Sequence, residues 1–128
     1  MTDPTPVPDP VGVTDPEGEG ARFSAGQVVT VFRSRRRTES EAAYQRLAQE
    51  MEVAARAMPG FVDFKTFVAE DGEQVSLVTF GSPAAHQAWR DDPGHRRAQQ
   101  RGRDSLYLEY SVQVGTCTHV SCWARDPL

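Results

Sequence analysis

An α+β fold, with a four-stranded antiparallel sheet and two helices on one of its faces, is the class this sequence predicts. Three observations predict it. Two stretches repeat apolar residues at helical spacing, one behind Thr38 and one behind Ser82. Four others alternate their side chains with the two-residue period of a strand. Along the chain these stretches fall in the order β-α-β-β-α-β, which is the split β-α-β, ferredoxin-like pattern.

Gln27 to Ser34 is the first strand, with Val28, Thr30 and Phe32 on one face and Val29, Val31 and Arg33 on the other. Thr38 followed by Glu41 fits a capping box. Behind it Tyr44, Leu47, Met51, Ala54 or Ala55, and Met58 mark a long helix that Pro59-Gly60 stops. Phe61 to Val68 is the second strand, with Val62, Phe64, Thr66 and Val68 facing one way and Phe61 and Phe67 the other. Asp71-Gly72 suits a two-residue hairpin turn in which both positions take positive φ, and Glu73 to Phe80 pairs back antiparallel. Ser82-Pro83 reads as an N-cap followed by proline in the first turn, where its missing N–H costs nothing. That helix runs to about Arg90, with Ala85, Ala88 and Trp89 on its inner stripe and His86 within reach of Trp89. Asp91 to Gly94 breaks it, His95 to Arg103 forms a basic turn, and Leu106 to Val114 is the last strand.

The 128 residues fit one domain whose apolar content builds a core without a metal or disulfide staple. Residues 1–25 read as a disordered tail, because Pro4, Pro6, Pro8, Pro10 and Pro16 alternate with acids and glycines that cannot offset the entropy of ordering. The tail holds Asp3, Asp9, Asp15, Glu17 and Glu19 against Arg22 alone, which accounts for the whole net charge of −4. Residues 26–116 form the folded domain and 117–128 a C-terminal extension. A neutral domain argues against nucleic acid, and Arg33, Arg35, Arg36 and Arg37 read as a solvated strand end. No apolar run suits a secretory signal or a membrane span, so the cytoplasm is the expected compartment.

The first three strands carry Val, Phe or Leu on both faces, unlike a sheet wetted on one side. The second face is therefore expected to meet a second copy of the chain, with a pocket between each sheet and its own helices. Trp89 and His95 are expected to line that pocket.

The MPGF turn after the first helix and the run AWRDDPGHRRAQQRGRDSLYLEYSVQV complete a pattern that resembles the antibiotic biosynthesis monooxygenase family of dimeric α/β barrels. The resemblance covers roughly Val28 to Val114. It implies a homodimer and a small-molecule enzyme, since that family includes cofactor-free oxygenases that turn phenols into quinones and also haem-degrading enzymes. Two departures limit what carries over. The phenol-oxidising and haem-degrading members place an asparagine near the end of the first strand, where this chain has Phe32, Arg33 and Ser34 and no asparagine anywhere. Haem-degrading members place a ligating His about ten residues after the helix Trp, where this chain has Gln99; His95 comes six after Trp89.

The candidate site residues follow. Trp89 is either core packing or a wall for a flat aromatic substrate. His95 is a general base for a phenol proton, a metal or haem ligand, or a cap on the next helical turn. Arg33 and Tyr110 are candidate catalytic donors to a developing oxyanion, while His86, Phe32 and Phe64 are candidate substrate-binding residues. Cys117, His119 and Cys122 offer soft ligands in a C-x-H-x2-C spacing that supplies only three donors, and a local disulfide or two free thiols is the competing reading, with Trp123 packing over the barrel mouth. The expected chemistry is oxidation of an aromatic, polyketide-like substrate with no organic cofactor. A haem-binding barrel and a non-catalytic small-molecule-binding accessory protein are the alternatives.

Overall fold

A computed structural model describes residues 22–126. Its strands are β1 (Val28–Arg36), β2 (Phe61–Val68), β3 (Gln74–Phe80) and β4 (Tyr107–Thr116). Helix α1 (Glu41–Arg56) lies between β1 and β2; α2 (Pro83–Asp91) and α3 (Pro93–Arg101) lie between β3 and β4. The strands pair antiparallel in the order β2-β3-β1-β4, the ferredoxin-like sheet that the alternation predicts.

Register sorts the side chains into rows across the sheet. On the helix side the rows are Phe61, Phe80, Val28 and Thr116; then Phe64, Val78, Thr30 and Val114; then Thr66, Ser76, Phe32 and Val112; and last Val68, Gln74, Ser34 and Tyr110. The first row is the most apolar and the best covered. Phe80 of that row and Val78 of the next are buried together with Ala55 and Trp89, and Phe80, fully enclosed, contributes about 3 kcal/mol of hydrophobic burial. A second cluster of Leu47, Ala98 and Leu106 holds α1 and α3 to the start of β4.

Local chemistry departs from the sequence reading at several points. Asp92-Pro93 starts a helix rather than only ending one: the Asp92 carboxylate accepts from the His95 amide at 2.9 Å, and the proline occupies the first turn. The expected single basic turn is therefore α3, followed by one π-helical turn over Gly102–Leu106. The Thr38 capping box does not form, because Glu41 pairs with Arg36 and the Ser40 hydroxyl donates to the Ser105 carbonyl at 3.1 Å. Ala69 and Glu73 close a three-residue hairpin loop in which Gly72 alone has positive φ, so Asp71 keeps ordinary geometry and accepts from the Glu73 amide. A bulge between Phe61 and Asp63 turns Phe61 to the helix side, where its ring meets Phe80 edge-on at 6.0 Å. Ala88 is exposed, outside the buried stripe.

The opposite face of the sheet is divided. Val29, Val31, Val75 and Leu77 are half-buried at its centre. Toward the hairpin end Arg33 pairs with Glu73 at 2.7 Å, and Arg35 pairs with Asp71 and Glu109 at 2.6 and 3.3 Å. Those pairs, with Arg36 on Glu41, account for three arginines of the basic run. Residues 22–25, read from sequence as tail, are tied down: Arg22 meets Asp63 at 3.1 Å and the Gln27 side chain donates to the Arg22 carbonyl at 2.8 Å. The expected disorder of residues 1–21 lies outside the described residues. Among the described residues no helix is long and apolar enough to cross a membrane.

Gly60 ends the α1–β2 turn at φ +79, and a Cβ there would stand 2.6 Å from the Ala85 Cβ. Gly60→Ala combines a left-handed backbone with a clash against α2, so it is expected to cost roughly 2 kcal/mol or more in urea unfolding. Unchanged stability would mean that α2 moves freely away from the turn.

Candidate functional site

Short side chains on both sides leave a hollow between the sheet and its helices. The middle rows present Thr30, Thr66 and Ser76, while α1 and α3 turn Ala48 and Ala98 toward them, so the two layers do not interdigitate there. The result is a cavity of about 630 Å³. It reaches solvent past the exposed Gln45, Gln49 and Arg90.

One wall is a ring stack. Trp89 lies against Phe80 at 6.1 Å and against His95 at 4.1 Å, the latter with only 14° between the rings. The Asp92 cap fixes the start of α3, and the His95 Nδ1 lies 3.0 Å from the Trp89 carbonyl. A carbonyl only accepts, so Nδ1 carries the hydrogen and Nε2 keeps its lone pair. Burial pushes the His95 pKa below its ordinary value, opposed by the Trp89 carbonyl bond and by Asp92. His86, on the same cavity, is likewise lowered, first by partial burial and then by Arg90. The cavity therefore holds two neutral imidazoles near neutral pH.

The far end is aromatic and polar. Phe32 stacks on Tyr110 at 5.4 Å and meets Tyr107 edge-on at 5.7 Å, and Tyr44 meets Tyr107 at 5.9 Å. Burial raises the Tyr44 hydroxyl pKa, opposed by the neighbouring Ser34 side chain and by Arg36. Gln74, buried beside them in the sheet, also lines the cavity.

The structure brings His95, Trp89, His86, Phe32 and Phe64 to one cavity. It does not bring Arg33, which stands on the opposite face of the sheet and is held by Glu73. Tyr110 is on the cavity side but outside the wall, and its hydroxyl accepts from Arg103 at 3.1 Å. Cys117 and Cys122 are not joined in a disulfide, and the Cys117 thiol donates to the His119 carbonyl at 3.4 Å. Among the described residues no three His, Cys, Asp or Glu side chains are placed to share a metal ion. Trp123 does not close the mouth: it is 58% exposed, with the Arg125 guanidinium over its ring. Sequence reasoning missed Gln74 and Gln99 as lining residues. The signal for Gln74 was available, since it shares a strand face with Val78 and Phe80 where an apolar residue is the ordinary choice.

Comparison with known proteins agrees with this architecture. The model of the antibiotic biosynthesis monooxygenase family matches residues 27–101. The uncharacterised protein YqjZ of Bacillus subtilis is 29% identical over 78 residues, 61% of this chain and 68% of that protein. Among solved structures, SnoaB, a cofactor-independent oxygenase from Streptomyces nogalater, superposes with a TM-score of 0.65 at 17% identity over 75% of this chain and 97% of its own. Rv0793 from Mycobacterium tuberculosis gives 0.63 at 20% identity, over 79% and 99%. The family match begins where β1 begins and ends with α3, taking in the Trp89–His95 wall, and so this chain belongs to the antibiotic biosynthesis monooxygenase family.

Proposed function

We propose that this protein is a cytoplasmic, homodimeric monooxygenase that oxidises a planar phenolic substrate with O2 and no organic cofactor. The observation that carries this reading is the Nε2 lone pair of His95, fixed by the Nδ1 bond to the Trp89 carbonyl at the edge of a flat aromatic wall. The phenol lies at the edge of the Trp89–His95 stack, and His95 Nε2 takes its proton. The phenolate passes electrons to O2, and a C–O bond forms at the ring carbon para to the phenolate oxygen. The hydrogen on that carbon then leaves as a proton, the O–O bond of the peroxide breaks, and the products are a quinone and water. The His95 imidazolium returns its proton to the departing oxygen, whereas sequence reasoning gave Arg33 or Tyr110 the separate role of steadying the developing oxyanion. Both of those lie outside the cavity wall. Phe32, Phe64 and His86 bound the space in which the substrate sits. An amide, Gln99, occupies the place where the family resemblance puts a haem ligand, and an amide is a poor ligand for haem iron, so the cofactor-free reading is preferred.

Incubating the purified protein with two- and three-ring phenols under an oxygen electrode tests this. His95→Ala should lower kcat about 10²- to 10⁴-fold while the fold is kept. Equal O2 uptake in the variant removes His95 from the chemistry, binding without uptake favours the accessory reading, and a Soret band on adding hemin that His95→Ala abolishes favours haem.

The pH dependence has a definite sign. The folded pKa of His95 lies below its ordinary 6.5, so the base form persists as pH falls through 6.5. The acid limb of kcat/KM should therefore lie below 6.5. Folding stability should be full above 6.5 and decline below it, because the unfolded chain binds that proton more readily. An acid limb centred above 6.5 would contradict the buried neutral base.

The homodimer reading draws on the face that carries Val29, Val31, Val75 and Leu77, and on the edge strand β4, where Val112 and Val114 are 46% and 53% exposed. Val28 and Phe32 face the helices, so the partner is assigned to the Val29/Val31 face. Val31→Asp should convert dimer to monomer or unfolded chain in sedimentation, because a carboxylate buried between two sheets costs several kcal/mol. A wild-type protein that is a stable monomer at micromolar concentration would overturn the dimer.

A further inference from the structure

We propose that Gln74 is a specificity-determining residue that hydrogen-bonds a hydroxyl group of the substrate at the end of the cavity remote from His95. The proposal rests on the phenol-oxidising reading above and adds to it a requirement for a second, distal polar group.

Gln74 is 8% exposed and lines the cavity, and its Oε1 has no hydrogen-bond partner among the described residues. The nearby hydroxyls are already engaged. Ser34, its partner across β1, lies beside Tyr44, and Ser76 and Thr66 in the next row bond each other at 2.9 Å. Val68, its partner across β2, has no polar side chain. A buried amide left open in this way is stabilised only by a group that enters the cavity.

The chemistry of that group follows from the surroundings. An amide accepts through one end and donates through the other, and a hydroxyl satisfies either, whichever way the amide is turned. A carboxylate is poorly matched, because the cations at this end of the helix side are spent, Arg36 on Glu41 and Arg103 on Tyr110 and Gln100. Length follows from the strand. Val78 packs in the cluster with Trp89, and Gln74 lies four residues away on the same face, a separation of about 13 Å along β3. A one-ring phenol at Trp89 does not reach Gln74, whereas a linear three-ring molecule with hydroxyls at opposite ends spans much of that distance.

The test compares 2,6-dihydroxyanthracene with 2-hydroxyanthracene, which differ by one distal hydroxyl, by calorimetric titration of the intact protein. Wild type is expected to bind the diol roughly tenfold or more tightly than the mono-ol. Gln74→Leu, similar in volume and without a polar atom to satisfy, should lose that preference and melt no lower than wild type. Gln74→Met serves as a second variant with the same expected ratio if the Leu protein does not fold. Equal binding of the two compounds by wild type, the result if a water satisfies Gln74, overturns the assignment while leaving the aromatic-substrate reading standing. A diol preference that survives in either folded variant overturns it as well. Failure of both compounds to bind wild type overturns the assignment and the underlying reading together.

Discussion

The stack of Phe80, Trp89 and His95 is the interaction on which the rest of the molecule depends. Its Phe80 end is the floor of the best-buried cluster, where β3 meets α1 and α2. Its His95 end is the wall of the cavity. One tryptophan thus closes the core on one face and carries the His95 ring on the other, and the two purposes share the same burial energy. The imidazole has little freedom to turn, because its ring is pressed on the indole, its Nδ1 is bound to a carbonyl of the preceding helix, and its own amide is held by Asp92.

The hollow beside the stack is a consequence of mismatched layers. Where side chains are large and apolar, in the row of Phe61, Phe80 and Val28, the helices sit tightly on the sheet. Two rows along, Thr66 and Ser76 face a helix surface that includes Ala48, and neither layer reaches the other. A chain of this size gives up packing energy to keep such a space. It retains enough because the two clusters at either side, joined through Met51, hold α1 and α3 in place. The polarity gradient along β3, from Phe80 and Val78 to Ser76 and Gln74, gives the cavity an apolar end and a hydrogen-bonding end.

Strand alternation made the two side-chain sets of β1 legible but left open which of them meets the helices, and the structure puts Val28, Thr30 and Phe32 there, under the helices or open to the cavity. Trp89 was legible as an inward residue for the same reason: it sits in phase with Ala85 on a capped helix. Other features were not legible because they depend on competition between local partners. Glu41 and Thr38 look like a capping box until Arg36, on the preceding strand, takes the glutamate. Phe61 appears to face outward until a bulge shifts the phase of β2 by one residue. Arg33 and Tyr110 carry suitable chemistry, yet what each can do is decided by Glu73 and Arg103, which lie 40 and 7 residues away along the chain. Side-chain type nominates such residues, and long-range pairing decides among them.

The central claim, that the Trp89–His95 wall receives a flat phenol, is tested most directly by nuclear magnetic resonance on ¹⁵N-labelled Trp123→Phe protein. The chain has two tryptophans, so this variant leaves Trp89 as the source of the single indole N–H signal. On titration with 2-naphthol that signal and the ring signals of His95 should move together and saturate. An indole signal that stays fixed while resonances elsewhere shift would place the ligand outside this cavity and contradict the account.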